Sequence, residues 1–395
     1  MNNWQPMTIG HFLSLQRGYD LTGDEREVGN IPVVGAAGQN GFHNKALASA
    51  PGIVVGRCGG SFGQVYFSKE DFWPHNTAMF VTDFKGNDPY FAYYLLKNID
   101  FSKLNSGSAQ PSLNRNYVYP IKITVPKPPE QRRIAAVLSA LDAKIDCNNR
   151  INAELEMMAK TLYDYWFVQF DFPDADGKPY KSSGGKMSYN ATLKRAIPEG
   201  WMDGTLNDLG QIVGGSTPST KKPDNFTTNG TPWITPNDLS DNQGNKFITR
   251  GAQDVSFNGI KDASLKKYPP GTVLLSSRAP IGYMAIARAE LTTNQGFKSF
   301  IPSNGYSSAF IYYTVMNSLK AITQYASGST FKEVSGAVLK TVKITRPERS
   351  PVEEFTKRVE PFFRRQDLLE QENQQLTQLR DWLLPMLMNG QVTVA

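Results

Sequence analysis

The stretch from Pro128 to Phe170 limits what this chain can fold into more than any other. It opens on two prolines, which suit a first helical turn and cannot continue a helix backwards. Steps of four and three from Ile134 pick out Leu138, Leu141, Ile145, Asn148, Asn152, Leu155, Ala159, Leu162 and Trp166. This heptad seam predicts a helix of roughly 40 residues, about 60 Å long, which needs a partner along its whole length. From Val352 the same stepping gives Phe355, Val359, Phe362, Gln366, Leu369, Asn373, Leu376, Arg380, Leu383 and Leu387. Both seams are apolar at the ends and polar in the middle. Polar seam residues fix register and partner choice, so the two stretches are expected to form a coiled coil with each other.

Around these helices the chain repeats itself. Trp4 matches Trp201 and Gly18 matches Gly215, both at an offset of 197. Pro51-Gly52-Ile53-Val54 matches Pro270-Gly271-Thr272-Val273 at 219, and Ile121-Lys122-Ile123-Thr124 matches Val342-Lys343-Ile344-Thr345 at 221. The extra residues of the second copy fall mostly in the loop-like 217–250 region. Short β-branched runs bounded by Gly, Pro or Asn predict strands at Ile53–Val55, Val65–Phe67, Met79–Val81, Thr272–Leu275 and Tyr283–Ile286. Helices are predicted at Pro89–Lys97, entered through Asp88, and at Ser308–Ser318. The fold class is therefore α+β: two pseudo-symmetric, strand-rich globular domains joined by two long helices in an antiparallel coiled coil. The expected divisions are a first globular domain at 1–128, a helix at 129–170, a linker at 171–200, a second globular domain at 201–350 and a helix at 351–390. The linker is rich in Gly, Ser, Lys and Pro and is expected to lie over the surface.

The net charge of +6 is unevenly spread. Basic residues outnumber acidic ones 11 to 9 over 1–128 and 21 to 14 over 171–350, while the two helical stretches are slightly acidic. That split suggests globular parts that meet a polyanion and helices that meet protein. The start lacks the pattern of a signal peptide, no run is long enough to span a bilayer, and two distant cysteines indicate no disulfide framework. A cytoplasmic protein is expected.

No dinucleotide fingerprint, phosphate loop or nuclease-like acidic cluster stands out. Asn87-Asp88-Pro89-Tyr90 approaches the loop with which amino-methyltransferases hold a flipped base, but lacks its second proline and sits where Asp caps a helix. His11, His43 and His75 have no partners at metal-ligand spacing, so no metal site is expected. Donor-rich loops are easier to find. One carries Thr217, Ser219, Thr220, Lys221 and Lys222; another Ser106, Ser108, Gln110, Asn114 and Arg115; a third Ser329, Thr330 and Lys332. Hydroxyls, lysines and backbone amides suit phosphates, while Gln, Asn and Arg can bond base edges. Solvated turns explain any single loop equally well. Arg57, Arg278, Asn294 and Lys298 complete the candidate DNA contacts.

The phrases GGSTPSTKKPDNF, TPWITPNDL, VLLSSRAPIGYMAIA, TTNQGFKSF, SGSTFKEVSGAVLKTVKI and PPEQRRIAAVLSALDAKID resemble the specificity subunit of a type I restriction-modification system, over essentially the whole chain. The resemblance implies two target recognition domains, each reading one half of a split asymmetric DNA sequence. The helices would set the half-site spacing and dock modification subunits, two in number. It also implies a non-catalytic chain without cofactors, S-adenosylmethionine, ATP and magnesium belonging to modification and restriction subunits. The first unit departs from the pattern, with Arg17-Gly18-Tyr19-Asp20 and Ala109-Gln110-Pro111 in place of Thr-Pro-Ser and Thr-Phe-Lys. A coiled-coil scaffold that never meets DNA, and a self-contained DNA methyltransferase, are the other readings.

Overall fold

The computed structural model describes residues 4–105, 111–278, 280–326 and 333–394. Two compact units make up the chain: Met1–Cys147 with Asn373–Ala395, and Asn148–Glu372. Each long helix therefore contributes to both.

In the first unit the strands Ser14–Arg17, Ala78–Asp83, Gly52–Gly56 and Val65–Ser68 lie in that order in an antiparallel sheet. A second small sheet holds Gly38–His43, Ile31–Gly35 and Trp73–Pro74, the last pair parallel. The Pro89–Lys97 helix starts where its proline and cap predict, the Asp88 carboxylate accepting from the Phe91 amide at 2.9 Å. Fully buried Gln131 completes this corner, accepting from the Asp88 amide and donating to Asn87 Oδ1 and the Pro126 carbonyl. The methyltransferase-like tetrapeptide is thus spent on capping. Gln5–Thr8 pairs antiparallel with Lys122–Val125, closing the unit just before the helix Pro128–Tyr163.

The second unit repeats the plan with additions. Gly210–Gly214, Lys298–Pro302, Val273–Ser277 and Ile281–Ala287 form the corresponding sheet, and Phe247–Ile248 adds a fifth, parallel edge strand. Thr231–Ile234 and Thr292–Thr293 pair in parallel, as Ile31–Gly35 and Trp73–Pro74 do in the first unit. Met202–Thr205 pairs with Lys343–Arg346 to close the unit. The helix from Ser308 continues to Gln324, past its predicted end, because neither Gly nor Pro interrupts it.

The long helices, Pro128–Tyr163 with a π-helical turn at Asp164–Val168 and Arg349–Met388, pack antiparallel within each unit. In the first unit Ile134 and Leu138 share a core with Leu384 and Leu387, and Arg380 donates to Asp142 at 2.8 Å. In the second, the Asn152 backbone carbonyl accepts from the Gln366 side chain at 3.1 Å and the Trp166 and Phe355 rings lie 6.2 Å apart. The polar seam residues Asn148, Asn152, Gln366 and Asn373 are all buried.

The segment after the first helix is more structured than its linker composition implies. Met187–Asn190 and Arg195–Pro198 form a hairpin, and Phe170, Phe172 and Ile197 are buried in the second unit's core. Phe172 stacks between Tyr180 and Trp201, at 4.7 and 4.9 Å between ring centres. Composition loses here to a few large aromatic anchors, each burying far more area than a loop residue.

Candidate nucleic-acid interface

In the second unit the Gly-Gly-Ser-Thr-Pro-Ser loop is held by several parts of the fold at once. Tyr268 donates its hydroxyl to the Gly214 carbonyl at 2.7 Å, the Ser216 amide donates to Thr293, and the Trp233 indole donates to the Ser216 carbonyl. A Cβ on Gly215 would stand 2.1 Å from the Thr293 carbonyl oxygen, so only glycine allows this approach. Thr217 donates to Gln295. Farther along, the Ser219 amide and the Lys222 ammonium donate to Asp262 at 2.9 and 2.6 Å. Those bonds, that of Lys222 foremost, hold the Asp262 carboxyl below the usual carboxylate range. Thr220 and Lys221 are exposed.

The loop's first half lies against Thr293–Lys298, where a second group of candidates meets. Lys298 and Arg278 approach Glu333 at 3.7 and 4.0 Å. Asn294 serves its own turn, accepting from the Gly296 amide at 2.8 Å. The structure therefore brings together Thr217, Arg278, Asn294 and Lys298, and sets Ser219 and Lys222 apart beside Asp262.

The first unit has the same frame and different tenants. A Cβ on Gly18 would meet the His75 carbonyl oxygen at 2.2 Å, as Gly215 meets Thr293. Arg57 donates to the Asn76 carbonyl at 3.1 Å, and Arg115 to that of Leu15 at 3.3 Å. Asn114 caps the short turn Arg115–Val118 by accepting from Asn116. His43 is buried beside Trp73, His75 bonds Thr77 and His11 bonds Thr8. Ser106, Ser108, Gln110, Ser329, Thr330 and Lys332 lie outside the described residues.

A one-residue bulge changes which side chains correspond. Val54 pairs with Phe80 and Val273 with Phe300, but the second unit's strand shifts register between Leu275 and Ser277. Past the shift, the Leu113 amide donates to the Arg57 carbonyl, and the Val334 amide to that of Ser277. Likewise Cys58 bridges to Ser112 and Arg278 to Glu333. Arg278 thus occupies the place of Cys58, and Arg57 that of Ser277. Bulges re-aim side chains in this way, and sequence offsets alone did not reveal it.

Sequence reasoning also missed where part of the second unit's basic excess goes. Lys246 and Arg288 turn inward, to Glu156 and to Asp367 and Glu370 on the long helices. The available clue was the polar middle of the seam, which needs partners when buried.

This frame coincides with a known family. The profile described as "Type I restriction modification DNA specificity domain" matches residues 1–157 and 198–378, one match on each copy of the repeat. The chain belongs to that family. It is similar to the type I restriction enzyme MjaIX specificity subunit of Methanocaldococcus jannaschii, 44% identical over 162 residues, 40% of this chain and 36% of that relative. The match thus spans about a third of that relative's length. The HindI specificity subunit of Haemophilus influenzae is 25% identical over 366 residues, 77% of each chain. A crystal structure of a type I restriction-modification S subunit from M. genitalium shares the fold, with a TM-score of 0.64 at 17% identity, over 98% of this chain and 96% of that one. Among the described residues no helix is long and apolar enough to cross a membrane.

Proposed function

We propose that the chain is the DNA-reading, non-catalytic subunit of a type I restriction-modification complex. Residues 1–128 and 201–350 each read one half of a split, asymmetric target. The observation that carries this reading is one frame used twice with different residues in it: Gly18 and Gly215 make the same close approach, while Cys58 stands where Arg278 does. Identical readers would give a palindrome; diverged ones give two different half-sequences.

Modification subunits dock on the long helices, and two equivalent surfaces support two of them. Met157 and Met158 are 63% and 51% exposed in the second unit, and Leu379 and Trp382 are 42% and 57% exposed in the first. Met158 and Leu379 are separated by the repeat offset of 221. Exposed apolar side chains grouped on a helix mark a protein contact. S-adenosylmethionine, ATP and magnesium act on the partner subunits, and restriction subunits complete the assembly. Co-expression with candidate methyltransferase subunits tests this reading. A stable complex and DNA methylated at one split sequence are expected. A purified chain that methylates DNA unaided would overturn it.

A further inference from the structure

The edge strand Phe247–Ile248 does more than widen a sheet. Lys246, immediately before it, enters the polar middle of the helix seam. Its ammonium meets Glu156 of the first long helix, Gln366 of the second at 2.8 Å and the Tyr313 hydroxyl at 3.0 Å, and lies 3.8 Å from the centre of the Phe363 ring. The amides of Lys246 and Phe247 both donate to Glu370, at 2.7 and 3.1 Å. Arg288, just past the neighbouring strand, donates to Glu370 at 2.7 Å and pairs with Asp367. Lys246 and Glu370 are only 5% and 6% exposed.

Burying charges is costly, and well-packed apolar residues often serve stability as well. What such a network adds is intolerance of displacement. An apolar contact survives a small slide, whereas a lysine shared by a carboxylate, an amide and a phenol loses all three together. Both long helices are gripped by one strand, so that strand fixes their register and the azimuth of the sheet in a single contact. The first unit's sheet ends on Val65–Ser68 instead, and the lysine beyond it, Lys69, makes an exposed ion pair with Asp146 at 3.1 Å.

We infer that Lys246, with Arg288, is a positioning clamp that holds the second globular domain at one place on the helix pair, so that its half-site is accepted at one distance only. The inference rests on the proposed DNA reading. Its test uses the full chain with its partner subunits and targets whose gap is one or two base pairs longer or shorter. Lys246→Met with Glu156→Gln removes both charges at once and leaves neither unpaired. The double variant should keep both half-sequences but discriminate between gaps at least tenfold less. Lys246→Arg should restore part of the discrimination, and Lys69→Ala should leave it intact. Unchanged gap discrimination in the folded double variant overturns the clamp. Hydrogen exchange on the unaltered protein decides the matter if that variant does not fold. The Lys246 and Phe247 amides should exchange as slowly as those of Val273–Ser277, and exchange as fast as at Lys69 overturns the clamp. If the unaltered complex accepts no split target, the DNA reading falls, and exchange still judges the clamp.

Discussion

The two globular domains meet the same pair of helices by different chemistry. In the second unit a buried lysine and a partly buried arginine reach four polar side chains of the helices. In the first, Tyr94 donates to Asp142 at 2.6 Å, Arg380 donates to the same carboxylate, and Lys69 pairs with Asp146 in solvent. Burial pushes the Tyr94 hydroxyl far above its ordinary range, and the adjacent Asp142 adds to this, so the phenol stays a donor at any physiological pH. Besides the solvated Lys69, the first domain is held by uncharged groups of its own, Tyr94 bonded to Asp142 and Asn87 and the Asp88 amide bonded to Gln131, and the second by a knot of buried charges. The lesson is that a tandem repeat keeps the frame while each copy settles its own anchorage.

The largest effect should come from exchanging the first domain. Replacing residues 1–128 with the corresponding part of a relative should change one half-sequence entirely and leave the other intact, as methylome sequencing would report. A change in both halves would mean that the domains do not read independently.

Next come the anchoring lysines. Lys246→Ala leaves Gln366 and Glu156 without their shared partner and should cost ~3 kcal/mol, the low end for a broken buried pair because Glu156 is a third exposed. Lys69→Ala, whose ion pair is solvated on both sides, should cost less than about 1 kcal/mol. Denaturant melts of the two variants make the comparison, and equal losses would erase the distinction between the domains.

A third contrast lies at the bulge. Arg278→Ala should weaken discrimination at one base pair by ~1–3 kcal/mol, the worth of a bidentate arginine contact. Cys58→Ala, at the corresponding place, should move its half-site little. Competition binding with single-base variants would show whether the position reads DNA in both units.

The last effect concerns pH. Burial pushes the Glu370 carboxyl up to about 7 from an ordinary 4.5, against the pull of the Lys246 amide and Arg288 and with Asp367 adding to the rise. Lys246 itself is lowered by burial, with Glu156 and Glu370 opposing. A raised carboxyl binds its proton more tightly folded than unfolded. Its contribution to stability is therefore full below 4.5 and is lost as pH climbs through about 7. Melting temperatures measured across that window should fall less steeply in Glu370→Gln.

Much of this was legible in the chain itself. The heptad seams, the repeat offsets, the Asp88 cap and the strands around Ile53–Val55, Val65–Phe67, Met79–Val81, Thr272–Leu275 and Tyr283–Ile286 follow from local periodicity, which tertiary packing only reinforces. The site was harder to read because its residues are chosen by long-range partners. Lys246 looks like any solvated lysine in a polar loop until Gln366 and Glu156 are placed beside it. Arg278 falls opposite Gly59 at the offset of 219 until the bulge moves it to the place of Cys58. The Phe170 to Trp201 segment hid its aromatic anchors behind a linker's composition.

The division of the units has a consequence for the order in which the protein is made. Residues 373–395 belong to the first unit, where Leu384, Leu387 and Met388 share a core with Ile9, Phe12 and Leu138, and Trp4 lies against Gly390. A ribosome working at about 5–20 residues per second needs on the order of ten to forty seconds to traverse the second unit in between. The domain synthesised first is therefore the last to be completed, and its apolar helix face waits uncovered while the other domain already has every residue it needs.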